Sequence, residues 1–486
     1  MITSITVPGL MAAENDVLNE LLSTLAEKTL INLRRSRYVD SKQVTRHLGI
    51  AIPPQLESVE TVIGWPEKSV AGLESRIDLD GFVVPGGTAD NFGVNAIWAA
   101  NRLSVEATEA HTSALKYGVS FLAVMMDDES PQPVIRNLSP TNSTVLWDRN
   151  KRRAAAGVTV TRGTTSNVEQ FILYLPDQIV TGSYVQGKWF LERSPHSLGR
   201  CPIAVLPYRP SSESPLGRSR VTQAVMSITD RAIRSLLRME ISAEFYSSPQ
   251  RAILGADESM FKDADGNPVP KWTATISRYL AAPLVEDSDG KSHMPSVQQF
   301  PQMTMQPHMD MVRSDAAMFA GETSIPVNAL GVIHDQPASD AAMLTAYMDL
   351  NKLAERAHDS FGYGWSDAMQ MAIEMRDGGR PDGIEELTPR FRDPSTPTRA
   401  SVADAVSKEI SVGILDPANP VDLEIAMERL GYDRVTINRI LEGRRKSESA
   451  NLLKQIAEGL RGGNANSGTD STTQDESGDD SETGEE

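Results

Sequence analysis

Residues 196–255 read HSLGRCPIAVLPYRPSSESPLGRSRVTQAVMSITDRAIRSLLRMEISAEFYSSPQRAILG, and the rest of the chain is organised around this stretch. Pro202, Ile203, Ala204, Val205, Leu206 and Pro207 form a short apolar run bracketed by prolines, the pattern of a buried or edge strand. Ser211, Ser212, Ser214, Pro215 and Gly217 then break the chain. From Arg218 to about Tyr246 there is neither glycine nor proline. Val221, Val225, Ile228, Ala232, Leu236, Met239 and Ala243 recur at helical spacing and make one apolar seam. Arg220, Arg231, Arg234 and Arg238 fall mostly on another face. Propensity alone does not hold so long a helix in place, so it requires neighbours along its length.

Upstream, residues 14–37 read as a helix with Leu18, Leu21, Leu22, Leu25, Leu30 and Leu33 on its apolar side, followed by Arg34, Arg35 and Arg37. Pro53 and Pro54 stop regular structure. A second helix is predicted over about 55–76 and a third over Asn91 to Tyr117. From Phe121 to Pro207 the period changes to two, in Val158–Thr161, Gln170–Tyr174, Gln178–Thr181 and Lys188–Leu191, separated by turn-forming residues as in an antiparallel sheet. Downstream, Pro249 to about Phe300 is a β-prone insert with tight-turn pairs at Asp265-Gly266 and Asp289-Gly290. A helix follows over Met303 to Ala320, with Pro307 tolerated in its first turn. Two helices that bracket one insert are predicted to lie antiparallel. Gly321 to Pro337 reads as a loop. Ser339 then caps a long helix to about Met375, in which Gly362 and Gly364 mark a kink. Pro394 and Pro397 mark a linker, and short helices are expected over Ala400–Val412, Val421–Leu430, Asp433–Arg444 and Ser447–Leu460. Beyond Gly462 the chain is polar and acidic and is expected to be disordered.

Composition narrows the chemistry. The 486 residues are 40% hydrophobic and 23% charged, as in a soluble globular protein. No apolar run approaches the ~20 residues that span a bilayer, and the N-terminus lacks the basic start and apolar core of a secretory signal. Cys201 is the single cysteine, which excludes an intrachain disulfide framework and cysteine-based zinc sites. The net charge is −18; part of it sits in the tail, and the remainder is still acidic. Tight nucleic-acid binding comes from phosphate neutralisation, so this balance argues against a protein that grips DNA. It is compatible with DNA sliding past.

Catalytic signatures are incomplete. Gly182 to Lys188 has the spacing of a phosphate-binding loop, but Trp189 stands where the magnesium-bearing hydroxyl belongs, and the segment precedes a strand; a hairpin turn is expected. There is no HExxH pair and no G-x-S-x-G elbow. Asp263–Gly266 and Asp287–Gly290 lack the later ligands of a calcium loop. No catalytic residue, metal ligand or cofactor is assigned. Arg231, Arg234 and Arg238 have two readings: contact with DNA phosphate, or ion pairing with acids of an adjacent subunit, for which Asp230, Glu240 and Glu244 supply opposite charge. The second is favoured.

Taken together, the 196–255 stretch, the opening YVDSKQVTRHLGIAIPPQLESVETVIGWPEKSVAGLESRIDLDGF (Tyr38 to Phe82), the Ala/Met-rich helix after Ser339 and the helical region near 400–445 resemble portal proteins of tailed bacteriophages. The similar branch is that of long-tailed phages of Gram-positive, especially actinobacterial, hosts. The resemblance implies an α+β portal fold with a wing (1–216), a two-helix stem (217–248 and 303–320), a small β-containing clip (249–302), a tunnel loop (321–338), a long kinked helix (339–395), a helical crown (396–461) and an acidic tail (462–486). It implies a homododecamer at one capsid vertex of the virion, assembled in the host cytoplasm, whose channel passes double-stranded DNA. Implied partners are the terminase large subunit, scaffold and major capsid protein, and a head-tail adaptor. No membrane is involved. Asn328, Leu330 and His334 are then channel candidates; Arg251, Lys262 and Lys271 are clip residues facing a partner or DNA; Arg231, Arg234 and Arg238 are inter-subunit stem residues. The alternative is a capsid adaptor or head-completion protein without a central channel.

Overall fold

The structure is a computed structural model that describes residues 4–43, 61–84, 92–127, 130–163, 168–246, 251–254, 285–286, 292–293, 296–299, 304–331, 340–395, 399–432, 436–447 and 449. Two units divide it, Met1–Ser395 and Thr396–Glu486.

The first unit opens with α1 (Ala12–Val39). Its Leu18, Leu21, Leu22 and Leu25 are buried against Val158, Val160, Phe171 and Leu173 of a five-stranded sheet. That sheet is a meander of β4 (Ser143–Asp148), β5 (Arg153–Arg162), β6 (Val168–Tyr174), β7 (Gln178–Val185) and β8 (Lys188–Pro195), in the order β4-β5-β6-β7-β8. Each adjacent pair is antiparallel. Period-two alternation places Val158, Val160, Phe171 and Val180 on the face under α1. The Gly182–Lys188 segment is the β7–β8 hairpin. Its turn residues Gln186 and Gly187 both have positive φ, 50° and 82°, the geometry of a type I′ turn.

Leu30 and Leu33, expected on the apolar side of α1, are instead 70% and 44% exposed. The buried face of α1 continues past Leu25 through Thr29 and Asn32, and Leu30 and Leu33 are rotated off it; the later turns are fastened by polar contacts. Asn32 donates to the Pro140 carbonyl, and Arg35 donates to the Tyr117 carbonyl.

A second, three-stranded antiparallel sheet, β3-β2-β9, joins β2 (Val119–Met125), β3 (Val134–Leu138) and β9 (Ile203–Pro207). β9 is the proline-bracketed run, and four of its five residues are buried. One face packs against the meander through Phe121, Val145, Tyr174, Ile203 and Val205. The other packs on the helical core, which includes α2 (Trp65–Glu74) and α4 (Leu103–Tyr117). The helix expected over 91–117 is two helices, α3 (Val94–Ala100) and α4. Arg102 sits between them at φ 50°, a left-handed conformation that ends one helix and starts the next. A short antiparallel pair, β1 (Leu79–Val83) with β14 (Thr388–Phe391), closes this unit.

Glu14, in the first turn of α1, latches that helix to the meander. Its buried carboxylate accepts from Arg193 Nη1 at 2.7 Å and Nη2 at 2.8 Å, from Gln178 Nε2 at 2.9 Å and from the Met11 amide at 2.9 Å. The Arg193 guanidinium holds this carboxyl below the usual glutamate range. A lowered folded pKa contributes stability above the unfolded glutamate value and loses it as pH falls through the folded value. Glu14→Gln is therefore expected to cost about 1.5–3 kcal/mol at neutral pH, the scale of hydrogen bonds to charged groups. In paired thermal melts the gap from the parent protein should shrink as pH falls through the lowered folded value, where the Glu14 carboxyl becomes neutral like the glutamine amide.

The second unit holds α8 (Arg399–Ser411), α9 (Pro420–Arg429) and a helix over 436–447. Val406, Leu415 and Ala426 form its small core. Asn419 caps α9 by accepting from the Val421 amide, and Pro420 occupies the first helical position, where its missing amide is not needed. The helix expected over Ser447–Leu460 and the acidic tail lie almost wholly outside the described residues.

Candidate assembly and channel surfaces

The break between β9 and the long helix is a built joint. Gly217, at φ 79°, lies where a Cβ would stand 2.3 Å from the Gly118 carbonyl oxygen and 2.5 Å from that of Tyr208. Arg218 donates its amide to the Tyr208 carbonyl, and Tyr208 donates its own to Gly118. Ser219 Oγ donates to the Lys116 carbonyl and accepts from the Val221 amide. The helix expected from Arg218 consequently starts later, as α5 (Gln223–Tyr246). Residues 218–222 are held in another conformation by these contacts.

Arg220 is 6% exposed. It donates to the Ser69 carbonyl in α2, to Tyr208 Oη at 3.3 Å and to the Thr323 carbonyl. Burial lowers its pKa, and no carboxylate is among its partners. One guanidinium thus ties the start of α5 to α2 and to the end of α6 (Gln306–Thr323).

α5 and α6 are antiparallel. Thr222 donates to Glu322 Oε1, whereas Arg231, farther along α5, meets Asp315, farther back on α6. Val221, Val225, Ile228 and Ala232 of the expected seam are buried, joined by Met226, Ile233 and Leu237. Leu236 and Met239 are half-buried and Ala243 is exposed, so the seam opens toward the far end of the hairpin.

Arg231 is engaged within its own chain. It contacts Asp315 Oδ1 at 2.5 Å and donates to Met318 Sδ at 2.9 Å. Two of the acids expected to serve a neighbouring subunit are likewise taken: Asp230 Oδ2 accepts from Tyr38 Oη at 2.7 Å and Glu240 Oε2 from Thr61 Oγ1 at 2.7 Å. Burial and the Asp230 bond push the Tyr38 phenol up to about 12. Arg234 is half-buried and Arg238 exposed. Neither forms an ion pair among the described residues.

After α6 the chain reverses through Ser324, at φ 55°, into a 3-10 turn over Val327–Leu330. This turn is anchored, because Trp65 Nε1 donates to the Leu330 carbonyl at 3.2 Å and the Trp65 ring packs on Phe319. Leu330 is 8% exposed, so its side chain belongs to the core, while Asn328 is exposed. His334 lies outside the described residues, as do Lys262 and Lys271; of Arg251 only the backbone, in β10 (Arg251–Leu254), is described. β10 pairs antiparallel with β13 (Ser296–Gln299) and β11 (Val285–Glu286) with β12 (Ser292–His293), so strands do occur between α5 and α6.

The long helix α7 (Asp340–Asp377) is helical throughout, including Gly362 and Gly364. The glycines serve packing. A Cβ on Gly364 would stand 2.4 Å from the Val205 carbonyl oxygen, so α7 crosses β9 at backbone distance. Beside it the buried Trp365 donates Nε1 to His111 Nε2 at 2.9 Å. Burial pushes His111 down to about 3, and the neutral ring accepts this bond.

The order of elements is therefore sheet, joint, antiparallel helix hairpin around a β insert, anchored turn and long return helix. Residues 52–418 match the family described as phage portal protein, SPP1 Gp6-like. The chain belongs to that portal family. Curated portal proteins similar to it include that of Mycobacterium phage D29, 30% identical over 429 residues and covering 85% of each chain. The portal protein of Mycobacterium phage L5 is 28% identical over 415 residues, covering 83% of this chain and 84% of that one. Both come from phages of actinobacterial hosts, the branch expected. Similar solved structures include the neck of the native gene transfer agent particle, with TM-score 0.42 and 14% identity over 82% of this chain and 98% of that one. The virion of the same particle gives TM-score 0.41 and 16% identity over 74% and 89%.

Family membership supports a structural, non-enzymatic role. Among the described residues no group of three His, Cys, Asp or Glu side chains is placed to hold a metal ion. No described helix is long and apolar enough to cross a membrane.

Proposed function

We propose that twelve copies of this chain close into a ring at one capsid vertex, with an axial channel that passes double-stranded DNA inward during packaging and outward during ejection. The carrying observation is the portal-family match over residues 52–418. Head-to-tail contacts that close generate a ring, and wedge-shaped subunits leave a hole on its axis. In this reading 1–216 is the wing, α5 and α6 are the stem, the β insert is the clip, the turn at Val327–Leu330 leads into the tunnel loop, and the second unit is the crown. Exposure of Asn328 supports its place at the channel; enclosure of Leu330 assigns that residue to anchoring the loop base. Arg251, Lys262 and Lys271 remain candidates for contact with DNA or a docked partner. The clip would receive a terminase that supplies ATP hydrolysis and, after filling, a head-tail adaptor. Scaffold and coat protein would build outward from the ring.

The opening of the α5 seam and the exposure of Leu30 and Leu33 support burial of these faces against neighbouring copies. Arg234 and Arg238 are the stem cations left to pair across that contact. Charge reversal at both, Arg234→Glu with Arg238→Glu, is expected to reduce the ring fraction in sedimentation velocity at least tenfold, with the monomer's melting temperature unchanged. If rings form undiminished, these arginines are not at the subunit contact. Genome packaging in a phage complemented with the same variant tests the functional consequence and should fail with ring assembly.

A further inference from the structure

The chain is strongly acidic, yet one turn concentrates four cations. Arg149, Lys151, Arg152 and Arg153 fall within residues 148–153, at the β4–β5 connection. Asp148 Oδ1 accepts the Asn150 and Lys151 amides at 2.9 and 3.1 Å and folds the turn. Arg149 Nη1 donates to the Ser212 carbonyl at 3.1 Å and so fastens the turn to the loop that follows β9. Between that loop, the turn and α7 lies a cleft of about 1070 Å³. Trp147, Ile203, Val205 and Pro207 give it an apolar wall, Ser211, Ser212 and Asp367 a polar one, and the exposed Tyr363 also lines it. Tyr363 is 81% exposed, the most of any large hydrophobic side chain among the described residues. Gly364 sets this geometry, since it lets α7 lie on β9 and so places Tyr363 beside the cleft.

The charge of the cleft is only partly offset from within: Asp148 on the turn faces Lys151 and Arg153, and Asp367 on the wall faces Arg153 as well as Arg200. Arg200 is neutralised by Asp367 at 2.5 Å and by Glu374 at 3.2 Å. Arg149, Lys151, Arg152 and Arg153 have no ion pair among the described residues. A concave surface with one apolar wall and more cations than carboxylates is complementary to an apolar anchor flanked by carboxylates. Duplex DNA, ~20 Å across by its groove dimensions, is too broad to enter a cleft of this volume.

We infer that this cleft is a docking site for an acidic peptide segment of another protein, with carboxylates on the turn cations and an apolar side chain between Trp147 and Tyr363. The site lies apart from the helix hairpin and does not require the ring.

The test uses the full-length protein and a fluorescein-labelled peptide of aspartates and glutamates around one phenylalanine. Controls are the same peptide with amides in place of carboxylates and a single-stranded oligonucleotide of equal charge. The labelled peptide should bind, weaken as salt rises, and exceed the amide control at least tenfold. Lys151→Glu with Arg152→Glu, both on the exposed turn, should weaken it at least tenfold, and Tyr363→Ala several-fold. Native mass measured on the same samples should show unchanged assembly, which separates failure of this site from failure of the ring. No peptide binding, equal binding by the turn variant, or tighter turn-dependent binding of the oligonucleotide would each overturn the proposal.

Discussion

A Gly217→Ala protein is expected to lose about 2–5 kcal/mol of stability, and Gly217→Val more. Two costs add. The residue sits at φ 79°, where a side chain costs roughly 1–2 kcal/mol. Its Cβ would also press on three backbone atoms, the Gly118 and Tyr208 carbonyl oxygens and the Tyr208 nitrogen at 2.8 Å. Overpacking typically costs about 1–3 kcal/mol, and backbone yields less readily than a side chain. Gly187→Ala is the control. Its φ is 82° but nothing lies within 4 Å of its Cβ, so it should lose only the conformational part. Denaturant titration of the two variants isolates the steric contribution. Equal losses would mean that the joint can widen without cost.

Arg220→Ala is the second large effect, about 2–4 kcal/mol, the scale for stripping buried acceptors of their donor and opening a void. The change removes the donor to the Ser69 and Thr323 carbonyls and to Tyr208 Oη and leaves a void among them. Buried acceptors stripped of their partner carry the desolvation penalty. Arg220→Lys should recover only part, because an ammonium lacks the planar fork that reaches separate acceptors at once. Denaturant titration gives the loss, and a lysine variant matching the parent would refute the three-way tie. Hydrogen exchange should show faster opening at the amides of α2 and the C-terminal turn of α6, the elements Arg220 joins.

These two residues show where the fold was legible in the sequence. The strand at Ile203–Pro207, the glycine break, the apolar seam of α5 and the β7–β8 hairpin each follow from local pattern and turn chemistry. In the sequence Arg220 is one of several arginines on a polar face. Its burial depends on carbonyls at Ser69 and Thr323, distant in sequence and silent in composition. Arg231 was assigned to a neighbouring subunit for the same reason: its partner Asp315 is on another helix, and periodicity reports only which face a residue occupies. The α3–α4 break at Arg102 carries no glycine to announce it. Leu30 and Leu33 look like a continuation of the leucine pattern of α1, but the buried face runs on through Thr29 and Asn32, and counting leucines hides that rotation. Gly362 and Gly364 were read through their flexibility, whereas Gly364 is set by the approach of the Val205 carbonyl. Nothing in the sequence marks the basic turn at 148–153 as a site, because the space beside it is enclosed by the loop after β9 and by α7, both distant in sequence.

The most direct test of the central claim is electron microscopy of the purified full-length protein with native mass measured alongside. The account predicts a ring of twelve subunits, each 53.0 kDa, with an axial hole wide enough for a duplex ~20 Å across. A compact oligomer without a channel would contradict it.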